Sequence, residues 1–80
     1  MQGVFVDGKR PKSKKAIKEA IARDPHSVRI QATSLIGREF DGLASELPEG
    51  TRVSFVGPDP YLSRKFYGTI RKVGGRLKVA

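Results

Sequence analysis

The feature that most constrains the fold is a Gly74-Gly75 pair between two alternating segments near the end of the chain. Two-residue hairpin loops require positive φ angles, which glycine adopts without steric cost. The pair therefore predicts a β-hairpin over residues 65–80. Its register sets Val73 opposite Arg76 and Arg71 opposite Lys78.

The two faces of this hairpin differ in chemistry, because side chains alternate across a strand. One face is mostly apolar and is expected to point at the core: Phe66, Gly68, Ile70, Leu77 and Val79, with Lys72 at its rim. The other face is polar, aromatic and basic: Tyr67, Thr69, Arg71, Val73, Arg76 and Lys78. Like charges directly opposite each other destabilise a sheet. An anionic partner would remove that cost.

The charge of the chain is strongly positive and unevenly distributed. The 80 residues, which we expect to form a single domain over 1–80, carry a net charge of +8. Residues 8–23 hold seven basic side chains and one acidic one, and residues 60–80 hold six basic and none acidic. Residues 24–59 hold three basic and six acidic side chains. This segregation indicates an anionic partner.

The remaining segments give a coarse secondary structure. We expect strands over residues 3–7, 28–33, 38–42 and 51–56. A helix is predicted over 14–23, with Ser13 as its N-cap and Asp24-Pro25 as its end, since a residue before proline disfavours the α region. Residues 57–61 are predicted to be a rigid loop, because their two prolines cannot donate to a ladder.

These elements predict an α+β domain. One helix would pack on a four- or five-stranded, mainly antiparallel sheet. A curl toward a small barrel is the alternative, because Gly37, Gly57 and Gly68 could mark bends or bulges.

Both basic segments place cations against local preference. Lys12, Lys14 and Lys15 crowd the positive end of the predicted helix, which favours acidic residues. Ammonium groups beside free main-chain N–H groups would suit a phosphate, although a solvated lysine face is the alternative. We predict a nucleic-acid-binding face that consists of Lys9, Arg10, Lys12, Lys14, Lys15, Tyr67, Arg71, Arg76 and Lys78.

A second candidate site follows the proline-rich segment. Tyr61 and Leu62 come after a stiff turn and precede Arg64 and Lys65. Interface hot spots favour Tyr and Arg, so these four residues form a candidate partner-binding site. The alternative is that Tyr61 or Leu62 caps the edge of the core.

Several classes of function lack their sequence signals. The chain has no cysteine, and a lone His26 does not make a zinc site, so we expect no metal and no cofactor. No nucleophile–base pair can be assembled, and we expect no enzyme activity. No apolar run approaches the ~20 residues that span a bilayer, and we expect a cytoplasmic protein without a membrane partner.

Two segments have distinctive sequences: Val6-Asp7-Gly8-Lys9-Arg10-Pro11-Lys12-Ser13-Lys14-Lys15-Ala16 and Val56-Gly57-Pro58-Asp59-Pro60-Tyr61. Over most of its length the chain resembles small basic proteins, of unestablished function, that are encoded by actinobacterial bacteriophages. This resemblance implies a host cytoplasm as the setting. It implies no catalytic motif and assigns no residue a role.

Two functions remain as hypotheses. The first is a small, non-catalytic protein that binds nucleic acid, contacting duplex DNA phosphates with low sequence specificity. Duplex is favoured over single strands because only 8% of residues are aromatic. The alternative is a modulator that docks an acidic host or phage protein. A domain this small could also form a homo-oligomer through a strand edge, which would double its basic surface.

Overall fold

The computed structural model describes residues 2–33 and 39–80, and within them the chain is a small α+β domain, as predicted. The elements are β1 (Gly3–Val6), α1 (Lys14–Arg23), β2 (Val28–Gln31), β3 (Gly42–Leu43), β4 (Arg52–Asp59), β5 (Ser63–Val73) and β6 (Arg76–Val79). Two single 3-10 turns, Pro25–Ser27 and Ala44–Glu46, precede β2 and β4 respectively.

The strands form two three-stranded antiparallel sheets, in the orders β1-β2-β3 and β4-β5-β6. The prediction of one four- or five-stranded sheet is therefore wrong, and so is the alternative of a barrel. The division arises because β1 pairs along its length with β2, whereas within the described residues its backbone bridge to β4 is the single pair Gln2–Phe55. The Gln2 N–H donates to the Ser54 carbonyl at 3.0 Å, and its carbonyl accepts from the Val56 N–H at 2.9 Å.

Helix α1 has the bounds that the sequence predicts. The Ser13 hydroxyl accepts a hydrogen bond from the Ala16 N–H at 3.2 Å, which satisfies one free donor of the first turn. The chain leaves the helix at Asp24, whose backbone is extended. Ile17 and Ala20 are buried, so the apolar side of α1 packs on the sheets, while Lys15 and Lys18 are exposed.

The closing hairpin also has the predicted register. Val73 pairs with Arg76 and Arg71 with Lys78, and Gly74 and Gly75 both have positive φ angles. Burial follows the predicted faces, since Ile70 is buried while Arg71 and Lys78 are exposed. The glycine pair therefore determines which side chains of β5 and β6 reach solvent.

Two predicted segments differ from the structure. Strand β4 continues to Asp59, so the prediction of a loop over 57–61 is wrong for its first half. The ladder shifts register between Gly57 and Pro58, which lets a residue without an N–H sit inside a strand. In place of a strand over 38–42, β3 pairs only Gly42–Leu43 with β2. Arg38 and Gly37 lie outside the described residues.

The core lies between α1 and the inner faces of the two sheets. Its largest fully buried side chains come from every layer: Phe55, Ile17, Ile30, Leu47, Ile70, Val4 and Val28. Phe55 and Phe66 form an edge-to-face pair with ring centroids 6.5 Å apart. This pair extends the core toward the start of β5. In the ranges 2–33 and 39–80, no helix has the length and apolar character to cross a membrane.

Candidate nucleic-acid interface

The outer face of the second sheet carries a row of cations across three neighbouring strands. Arg52 of β4 pairs with Arg71 of β5, and Arg71 pairs with Lys78 of β6. All three residues are exposed. Side chains of directly paired residues have Cβ atoms about 5 Å apart, so each cation has a like-charged neighbour. We call Arg52, Arg71 and Lys78 the cationic row.

Next to the cationic row, the sheet surface carries small polar side chains. Ser54 pairs with Thr69, and the Thr69 N–H and carbonyl exchange hydrogen bonds with Ala80 at 3.1 and 3.0 Å. Tyr67, one step further along the same face of β5, is 52% exposed. Small side chains between a row of cations and an exposed ring leave room for a partner to approach the strand backbones.

Acidic and basic side chains differ in how often they form ion pairs or hydrogen bonds within the protein. Among the described residues, acidic side chains are mostly engaged: Asp7 with Arg23, Asp41 with Arg29, Asp59 with Arg10, Asp24 with the His26 N–H, Glu46 with the Leu43 N–H, and Glu49 with the Gly75 N–H. In those same parts of the chain, ten cations have side chains without an ion pair or hydrogen bond: Lys9, Lys12, Lys14, Lys15, Lys18, Arg52, Lys65, Arg71, Arg76 and Lys78. The surplus positive charge is therefore available at the surface.

Arg10 differs from the other predicted phosphate ligands because its side chain is built into the fold. Its guanidinium lies 4.0 Å from the centre of the Phe5 ring and donates to Gln31 Oε1 at 2.6 Å. Its Nε is 3.7 Å from Asp59 Oδ2. Arg10 thus connects the first sheet to the end of β4, and we do not include it among the free cations.

The helix start and the cationic row lie on different sides of β5. The Cδ atom of Lys14 would be 2.9 Å from a Cβ added at Gly68, which belongs to the inner face. Lys12 and Lys15 are exposed near it, and Lys9 is exposed in the preceding loop. The two basic segments predicted from the sequence therefore do not form one flat surface.

A groove between α1 and β6 connects these two sides. Lys18 lines it from the helix and Lys78 lines it from the strand, with Leu77 and Val79 as its apolar floor. Basic charge therefore continues around the β6 edge from the cationic row to α1. Sequence reasoning missed Lys18 and Arg52. Their signals were the i, i+4 spacing from Lys14 and the alternation of Arg52 with buried Val53.

The proposed partner-binding residues lie at the closed end of the β4–β5 hairpin. Tyr61 is 64% exposed and Leu62 is 87% exposed, so the alternative that they cap the core is wrong. The neighbouring Pro60 is buried in their place. Arg64 donates from Nε to the Pro60 carbonyl at 2.8 Å, while Lys65 is the extra residue at the register shift and is exposed.

Arg76 completes the set of predicted residues. It is exposed just after the Gly74-Gly75 turn and lines a cleft with His26 and Lys72. Together these placements give the outer face of the second sheet several exposed cations and one exposed aromatic ring, Tyr67. Comparisons with protein-family models, with curated proteins and with solved structures found no match for this chain.

Proposed function

We propose that this chain binds duplex DNA through its phosphates, with little sequence preference, and that the outer face of the second sheet is the contact surface. The observation that carries the proposal is the cationic row. Three cations on adjacent strands repel one another and have no partner among the described residues. An arrangement that costs stability in the free protein is expected where a partner compensates for it.

Duplex DNA suits the chemistry of this surface. It carries one negative charge per about 1.7 Å of helix axis, so several cations can each find a phosphate. Ser54 and Thr69 supply hydroxyls that can donate to phosphate oxygens, and Tyr67 offers a further O–H. Contacts to phosphate oxygens carry no sequence information directly. Low sequence specificity is therefore expected.

Charge beyond the cationic row extends the contact. Lys65 and Arg76 lie at opposite ends of the β5–β6 surface, and Lys18 and Lys14 continue the charge around the β6 edge. We expect about five phosphates to be neutralised at once, which gives a slope of about −4 to −5 for log K against log salt. The setting that the sequence resemblance implies, a phage-infected bacterial cytoplasm, supplies such DNA.

The test is binding to a fluorescent duplex of random sequence, followed by anisotropy between about 50 and 200 mM salt. The double variant Arg52→Gln/Arg71→Gln should bind more weakly, with the slope reduced by about 1.8. The matched control is Arg23→Gln/Arg29→Gln. It removes the same charge from two cations that are already paired with Asp7 and Asp41.

Equal losses in the two double variants would mean that net charge, and not this surface, drives binding. No binding by the wild-type protein at micromolar concentration in about 50 mM salt would overturn the proposal.

A further inference from the structure

The closed end of the β4–β5 hairpin is an apolar protrusion with a fixed backbone. The Asp59 carboxylate accepts hydrogen bonds from the Tyr61 N–H at 2.8 Å and the Leu62 N–H at 3.2 Å. Arg64 holds the Pro60 carbonyl, and Arg10 lies against the other carboxylate oxygen of Asp59. Side chains at the base therefore order the turn. We call Pro60, Tyr61 and Leu62 the tip.

Core packing orders only part of the tip. Pro60 packs inward, whereas Tyr61 and Leu62 are the two most exposed large apolar side chains among the described residues. An exposed apolar pair on a preformed turn loses little conformational freedom when it inserts into a partner. An ordered turn with two exposed apolar side chains is better suited to insertion into a partner than to covering the surface of this domain.

The charges around the tip indicate the chemistry of that partner. Arg64 and Lys65 follow it directly, and residues 60–80 contain no acid. The nearest acid, Asp59, is turned inward. The hydrogen bond from Tyr61 lowers the pKa of the Asp59 carboxyl, burial acts in the opposite sense, and the Leu62 N–H and the Arg10 charge add to the lowering. A partner with an anionic exterior and an apolar interior is a stack of base pairs between phosphate backbones.

We propose that the tip inserts Leu62 and Tyr61 between adjacent base pairs from the minor-groove side and kinks the duplex, while the cationic row holds phosphates. This inference rests on the proposed function. Apolar wedges of this kind kink DNA by about 20–90°. Arg71 lies eight residue steps after Ser63 along β5. At about 3.3 Å per residue they place the wedge roughly eight base pairs from the cationic row.

The experiment measures energy transfer between dyes at the two ends of a duplex of about 30 base pairs. Wild-type protein should raise the transfer efficiency on binding. The variant Tyr61→Ser/Leu62→Ser should bind with an unchanged salt slope and within about tenfold of the wild-type affinity, because charge dominates nonspecific binding, but without the rise in transfer. Val73→Ser, which removes an exposed apolar side chain at the other end of β5, is the matched control and should bend DNA like wild type.

A second readout uses a duplex with one mismatched pair. Wild type should prefer it over the matched duplex, since a mismatch lowers the cost of unstacking, and the tip variant should lose that preference. Asp59→Ala keeps the Tyr61 and Leu62 side chains but removes the acceptor that orders their backbone, and should weaken bending without changing the salt slope.

The outcomes separate this inference from the proposed function. If the wild-type protein binds DNA without bending it, or if the tip variant bends it equally, the wedge is refuted. The exposed tip would then be assigned to docking on an acidic protein, and DNA binding would stand. If the wild-type protein does not bind DNA, both proposals fail together.

Discussion

Replacing Arg71 with glutamine is expected to stabilise the free protein while weakening its binding to DNA. Arg71 lies between Arg52 and Lys78 in the cationic row, and glutamine keeps most of the aliphatic stem while removing the charge. Two unit charges about 7 Å apart in water repel each other by about 0.6 kcal/mol. Two such neighbours give about 1.2 kcal/mol without salt. At 0.1 M salt, with a Debye length of about 10 Å, about half of this remains.

The gain should be visible by urea denaturation and by thermal unfolding. At 0.1 M salt, about 0.6 kcal/mol corresponds to a rise in Tm of about 2–5 °C for a domain of this size. The gain should shrink as salt increases, which identifies it as electrostatic.

Arg29→Gln is the control of opposite sign. It breaks the 2.8 Å pair between Arg29 Nη2 and Asp41 Oδ1, which is worth about 0–1 kcal/mol at a surface. If Arg71→Gln lowers the free energy of unfolding at every salt concentration, the cationic row is not a site of repulsion. The row would then impose no cost on the free protein for a partner to offset.

Three further predictions test other parts of the structure. Arg10→Lys should lower the free energy of unfolding, measured by urea denaturation, by about 1–2 kcal/mol, because an ammonium group cannot hydrogen-bond Gln31 and stack on the Phe5 ring at the same time. Unchanged stability would show that these contacts do not stabilise the fold. Phe55→Ala should cost about 3–5 kcal/mol, enough to abolish native circular dichroism in a marginal domain, and a native spectrum would contradict its place in the core. Asp59 has a lowered pKa, so it contributes stability above its usual value of 3.8 that is lost as the pH falls through the lower folded value. Asp59→Asn should therefore flatten the dependence of Tm on pH below about 4, and a slope as steep as that of wild type would contradict the hydrogen bonds at the tip.

Local signals predicted the elements whose geometry they determine. The Gly74-Gly75 turn determines the register of β5 and β6, since each residue of a two-residue loop needs a positive φ angle. Helix α1 has the predicted bounds because a side-chain cap and a residue before proline act on the chain directly beside them. Neither signal depends on distant parts of the fold.

Long-range pairing limited what the sequence could predict. Proline suggested a loop at 57–61, but a register shift accommodates Pro58 within β4. The longer β4–β5 ladder sets Arg52 beside Arg71, which no local pattern reveals. The division into two sheets depends on Gln2, whose contacts join residues more than 50 positions apart.

The roles of individual cations were equally dependent on the tertiary structure. Arg10 was predicted to bind phosphate along with its neighbours in a basic loop, yet it contacts Phe5, Gln31 and Asp59. Its sequence context does not distinguish it from Lys9 or Lys12. The exposure of Tyr61 and Leu62 could not be predicted either, because it follows from the burial of Pro60 beside them.

The proposed binding surface also explains why the chain carries cations at a cost. A domain of 80 residues has little stability to spare, and dispersed charges would keep it soluble without repulsion between strands. In the described parts of the chain, the acids are mostly engaged in ion pairs or hydrogen bonds within the protein, while ten cations are free. A partner with many phosphates would reverse the sign of this cost on binding.

Contact between DNA and the outer face of the second sheet can be detected residue by residue in a nuclear magnetic resonance titration. Backbone amides would be followed while a duplex of about 16 base pairs is added at low salt. The largest shifts are expected at Ser54, Thr69, Arg71 and Lys78, reversed by raising the salt. Shifts confined to β2 and β3, or no shifts at protein concentrations that saturate nonspecific binding, would rule out this face as the DNA contact.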